Sequence, residues 1–151
     1  MSQGEITPTW RSHAVPRAIA IAVIRRNDRL LVTKVTQDDG RLKGYRPLGG
    51  GIDLGETAAQ ALVREFREEV SAEIRVGARL AVLENIFTHE GQIGHELVFV
   101  FDAHIIKTGA IESSRFLRTE NGRVTAVDWV PLDRFRSGVA TLFPDGLAAL
   151  I

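Results

Sequence analysis

A chain of 151 residues is long enough for one domain with a proper core, and folding at this size hides about two-thirds of the unfolded surface without any covalent staple. Its 44% hydrophobic and 25% charged residues are an ordinary globular mix and exclude a disordered chain. Lys plus Arg balances Asp plus Glu at 19 each, so no net field draws the chain to nucleic acid or anionic lipid, and a polyanionic ligand must be held by local charge or metal.

Residues 1–16 form a leader that lacks the apolar centre of a signal peptide, and no later apolar run is long enough to cross a bilayer. With cysteine absent as well, the expected compartment is the cytoplasm. Trp10 in this leader is expected to pack onto the domain or onto an identical partner in a homodimer. Residues 17–151 show no repeat and no dividing linker, and read as a single domain. Residues 18–36 are two β-type runs meeting at Asn27-Asp28, residues that tolerate turns, and predict a hairpin. Residues 37–51, QDDGRLKGYRPLGGG, read as a polar, Gly-rich loop carrying Arg41, Lys43 and Arg46. Thr57 to Val70 has helical periodicity. Residues 72–89 and 95–106 read as strands joined through Glu90-Gly91, 106–123 as a polar excursion, and 124–132 as one more strand. The segments PLDRFRSG and FPDGLAALI predict two short helices, each opened by a proline. Strands, a central helix, more strands and terminal helices imply an α+β fold, a mixed sheet with helices packed on it.

Projected at roughly 100° per residue, Ala59, Leu62, Val63, Phe66 and Val70 form the stripe that faces the sheet. Glu65, Glu68 and Glu69 share another arc. A solvated face explains Arg64 paired with Glu68, but it leaves Glu65 and Glu69 as a like-charged i, i+4 pair. Hard cations such as magnesium favour carboxylate and carbonyl oxygens and turn that crowding to advantage. Gly49, Gly50 and Gly51 lie just upstream, where they permit close approach of a ligand, lend carbonyl oxygens and lead into helix N–H groups that favour phosphate.

Gly50, Glu56, Arg64, Glu65, Phe66, Glu68, Glu69 and Ala72 stand at the spacing of the Nudix box, and the chain from about residue 17 to 150 resembles the Nudix hydrolase family. Ser71 stands where that family has glycine, which leaves the helix exit in question. The resemblance implies an α/β/α sandwich with the Nudix helix on one side of a mixed sheet and C-terminal helices on the other. It implies metal binding by Glu65, Glu68, Glu69 and the Gly49 carbonyl, with Mg2+ or alternatively Mn2+ as cofactor. Arg64 and Glu56 match the salt bridge that orients the cluster. The implied chemistry is attack of water on a phosphorus of a nucleoside diphosphate linked to another group. Either Glu65 or a glutamate outside the box serves as base.

Glu96 is the outside candidate, at a place where the resemblance implies a further metal-binding or catalytic glutamate. Period-two alternation places it with Val98 and Val100 on one strand face, where a carboxylate is out of character; its alternative is a strand-end charge reaching water. Glu90 stands second. Arg46, Gly50, Gly51 and a base-stacking Tyr45 are the candidate substrate contacts, weighed against ordinary loop chemistry. His13, His89, His95 and His104 show no zinc spacing. A non-catalytic nucleotide-sensing or protein-interaction module is the alternative function, since fold alone does not dictate activity.

Overall fold

The computed structural model describes residues 10–108, 115–120 and 123–151; the rest of the leader (1–9) and parts of the polar segment (109–114 and 121–122) lie outside it. Alternation along one strand sets the layers. In β1 (Arg17–Val23), Ala20 and Ala22 join Leu62 and Phe66 in one buried cluster, while Ile19, Ile21 and Val23 join Val98, Val100, Leu132 and Phe135 in another. A strand covered on both faces reads as a continuous apolar run rather than an alternating one. It pairs in parallel with β7 (Gln92–Lys107), from Arg17 opposite Glu96 to Val23 opposite Asp102, and antiparallel with β5 (Gly49–Gly51). With β6 (Glu73–His89) outermost, the order is β5-β1-β7-β6.

The second sheet holds β2 (Arg25–Arg26), β3 (Arg29–Thr36), β9 (Arg123–Pro131) and β8 (Arg115–Glu120) in that order, with β4 (Leu42–Pro47) also on β3. Helix α1 (Ala58–Val70) covers the alanine face, and α2 (Leu132–Arg136) with a closing 3-10 turn (Leu147–Leu150) covers the isoleucine face. This is the expected α+β arrangement of helices on both sides.

Four local expectations need correction. Asn27 and Asp28 do turn the chain, both at positive φ (48° and 60°), but the hairpin they close is β2–β3; β1 leaves for the other sheet. The Gly-rich loop contains strands β4 and β5, because β3 and β1 each offer it a pairing edge. The polar excursion holds β8, paired with β9. FPDGLAALI makes only a 3-10 turn whose first N–H, that of Leu147, donates to the Pro144 carbonyl.

Thr57 caps α1 rather than opening it. Its hydroxyl accepts from the Gln60 N–H at 3.1 Å, and the Gln60 side chain accepts from the Thr57 N–H at 2.8 Å, a reciprocal pair that fixes the start of the helix. The expected phosphate-binding donors are thus partly committed to the cap. Buried positions are Ala61, Leu62, Phe66 and Val70, whereas Ala59 and Val63 are only half-buried. The stripe is rotated toward Glu65 because β5 carries no side chains there to hold the helix off. At its far end Ser71 adopts φ 51° and ψ 30°, and its N–H donates to Phe66. The exit is therefore the glycine-type one with a serine in it. Ser71→Gly is expected to raise stability by about 0.5–1 kcal/mol, after allowance for glycine's looser unfolded state; an unchanged or lower denaturation midpoint would refute this.

Candidate functional site

The ladder bonds between β1 and the glycine strand set its carbonyl directions. Ala22 donates to Leu48 at 3.0 Å and Ile52 to Ala18 at 3.1 Å, so alternation turns the Gly49 and Gly51 carbonyls away from β1. The Gly51 carbonyl accepts from Arg64 Nη2 at 3.0 Å.

Arg64 is the hub of the site. Its guanidinium donates to Glu56 at 2.6 and 3.1 Å, to Glu65 at 2.9 Å and to Glu68 at 3.3 Å, and an Asp53 oxygen lies 3.5 Å away. Glu56 also accepts the Asp53 N–H at 2.8 Å. The bond to Glu56 holds the guanidinium pKa well above its ordinary value, and the bond from Arg64 holds the Glu56 carboxyl below the usual carboxylate range. A depressed folded pKa means this link is intact above the ordinary carboxylate value and is lost only as pH falls through the lower folded one.

Glu65 is well covered, its side chain 15% exposed, and lies directly over Gly50, where a Cβ would sit 2.4 Å from the carboxyl carbon. Gly50 is therefore a close-approach position. Glu68 is 61% exposed and Glu69 half-buried. The Arg64–Glu68 pair of the solvated-face reading is present, and it lies within the cluster. One cation faces four carboxylates, an oxygen-rich and net negative donor set that fits a hard divalent ion.

The tightest gathering of metal-capable atoms among the described residues lies elsewhere: Asp38, His89 and Glu90, all within 4.8 Å of one another. Here the charges are already balanced. Arg11 lies 3.5 Å from Asp38, Lys43 Nζ lies 3.4 Å from His89 Nδ1, and Glu90 accepts the Asp38 N–H at 2.9 Å. Burial first, then the Lys43 charge, keeps the His89 pKa below its ordinary value. Glu90 belongs to this hairpin-tip network and not to the carboxylate cluster. The leader docks on the same tip: Trp10 packs on Phe87 at 5.2 Å and edge-on to His89 at 6.0 Å, and Ser12 donates to the Ile93 carbonyl. Trp10 thus packs on its own domain.

Glu96 does not join Glu65. It faces the isoleucine side of the sheet, 6% exposed, and lines a cavity with Ile19, Arg46, Asn85, Phe87 and Phe143, whereas Glu65 stands over Gly50 on the alanine side. Residues 19 and 20 of one strand point opposite ways, so one ion cannot be shared across it. Arg46 lines this cavity; Lys43 does too. Tyr45 is a correction: it is 8% exposed and packs edge-on against Phe135 at 5.8 Å, inside the core, and cannot stack on a base. Arg41 is paired locally with Asp39 at 2.7 Å. Sequence reasoning missed Arg17, whose guanidinium lies where a Gly51 Cβ would be, 2.5 Å away. The only signal for it was a basic residue heading an apolar strand.

The NUDIX domain family model matches residues 15–148, and the chain belongs to that family. It is 38% identical over 63 residues to the nucleoside triphosphatase NudI of Enterobacter sp. (strain 638), covering 41% of this chain and 45% of that protein. It is 25% identical over 87 residues to the CTP pyrophosphohydrolase of Escherichia coli (strain K12), covering 58% of this chain and 60% of that one. The matches thus span about half of each curated relative. Among solved structures, a NUDIX hydrolase from Nitrosomonas europaea superposes with a TM-score of 0.64 at 18% identity, over 87% of this chain and 82% of that one, a likeness of fold. Among the described residues, no helix is long and apolar enough to cross a membrane.

Proposed function

We propose that this chain is a divalent-metal-dependent hydrolase of nucleoside diphosphate derivatives, including nucleoside triphosphates. The observation that carries this reading is the single guanidinium of Arg64 among four carboxylates, beside glycine carbonyls turned to the same strand edge. Glu65, Glu68, Glu69 and the Gly49 carbonyl are the residues that would hold magnesium, or manganese in its place. When bound, the ion would neutralise charge on the phosphate oxygens and acidify a water. Arg64 and Glu56 position the carboxylates. Gly50 and Gly51 let the Glu65 carboxyl group and the Arg17 guanidinium close onto the strand, one from each face. Glu65 takes the proton of the attacking water, because neither Glu96 nor Glu90 lies with the cluster. The phosphorus–oxygen bond to the leaving phosphate breaks, giving a nucleoside monophosphate and a phosphorylated product. The names of the relatives put nucleoside triphosphates first among substrates to try. The test is turnover of a panel holding CTP, UTP, ATP, ADP-ribose and nucleotide sugars, with magnesium, with manganese and with chelator. Hydrolysis with either ion and its loss on chelation, restored by added metal, is expected. No turnover of any member by folded protein overturns the reading.

A further inference from the structure

Buried carboxylates without a partner are costly, so native proteins retain them where something else supplies the donor. Glu96 is such a group. It is 6% exposed, its side chain opens onto the cavity, and no described residue gives it a hydrogen bond or an ion pair. Three observations narrow what completes it. Phe87 and Phe143 form aromatic walls, which suit a flat ring. Lys43 and Arg46 share the space, which opposes a cationic ligand and offers donors to acceptor atoms. His89 and Asp145 also line the cavity, but their ligand atoms do not gather with those of Glu96 into a metal-capable group among the described residues. A neutral heterocycle with an N–H donor beside ring acceptors satisfies all three.

We propose that Glu96 reads the base of the substrate, accepting a hydrogen bond from an exocyclic amino group. The proposal rests on the hydrolase reading above and names its substrate class: nucleotides of amino-bearing bases, as against uracil, thymine or hypoxanthine. Those keto bases put a carbonyl oxygen where the amino group stands, an acceptor that the carboxylate repels, and their ring N–H lies one position further along the base. The carboxylate cluster lies on the other face of the sheet, and the way to it passes round β5, the edge strand. Glu96 on β7 is opposite Arg17 on β1, and Arg17 reaches Gly51 on β5. Two strand spacings, about 10 Å, take a ligand from the base cavity to the glycines.

The test compares kcat/KM for CTP against UTP and for ATP against ITP in wild type and Glu96→Gln, alongside calorimetric binding of CMP and UMP. In wild type the amino base is expected to be favoured about 10- to 100-fold in whichever pair the cavity admits. In Glu96→Gln, whose amide can donate to a carbonyl, the ratio should fall to within about threefold of unity. The variant should also melt no lower than wild type, since no described residue pairs with the Glu96 carboxylate. Equal use of both members of each pair by wild type overturns the proposal, and that result needs no variant. A preference that survives unchanged in Glu96→Gln overturns it too. If nothing is hydrolysed but CMP binds better than UMP, the hydrolase reading fails while the role of Glu96 stands.

Discussion

Glu65→Gln is expected to keep the fold and lower kcat by about 10²- to 10⁴-fold, the range for removing a positioned proton acceptor. The side chain keeps its shape and its place over Gly50, and Arg64 retains its two bonds to Glu56 at 2.6 and 3.1 Å, so the helix entrance stays locked. What changes is the charge. One of the carboxylates that offset a single guanidinium becomes neutral, and the amide cannot take a proton from water. The measurement is kcat with magnesium, together with the thermal midpoint. Near-normal turnover in a folded variant would place the base elsewhere.

Alanine at Gly49 and at Gly50 should fail in different ways. At Gly49 a Cβ would lie 1.9 Å from the Ala20 carbonyl oxygen and 2.8 Å from the Ile21 Cα, both backbone atoms of the buried strand β1. Backbone in a paired sheet cannot yield, so Gly49→Ala should cost about 3 kcal/mol, at the upper end for overpacking, and yield little folded protein. At Gly50 the atoms met are those of the Glu65 carboxyl group, at 2.4 to 2.8 Å, the free end of a flexible side chain. That side chain can swing away. Gly50→Ala should therefore cost about 1 kcal/mol in stability while activity drops about 10- to 100-fold, as when a positioning contact is lost. Denaturant midpoints and kcat for the two variants separate these outcomes. Equal stability losses would contradict the different contacts.

The carboxylate cluster was legible because its parts lie within one helix and its entrance. Arg64, Glu65 and Glu68 are local neighbours whose meeting follows from helical geometry, and Glu56 is one loop away. Parity along β7 likewise placed Glu96 with Val98 and Val100, all three buried on one face. Which layer that face joins was not legible, because the pairing of Glu96 with Arg17 is a long-range choice that no local pattern encodes. Tyr45 and the glycine strand fail for the same reason. Polar, Gly-rich sequence reads as loop until β1 and β3 supply edges for it to pair with, and a tyrosine among charged residues reads as exposed until Phe135 covers it. Ser71 shows the opposite case, where the fold imposes a left-handed turn on a residue that does not favour it.

Neighbouring positions of β1 serve opposite layers: Ile19 lines the cavity of Glu96, while Ala20 lies opposite Gly50, which carries Glu65 above it. Under the two proposals made above, selectivity and reactivity belong to separate sides of one ribbon. A substitution on the cavity side therefore reshapes the space around Glu96 without touching the carboxylates behind it, so the two can be altered independently.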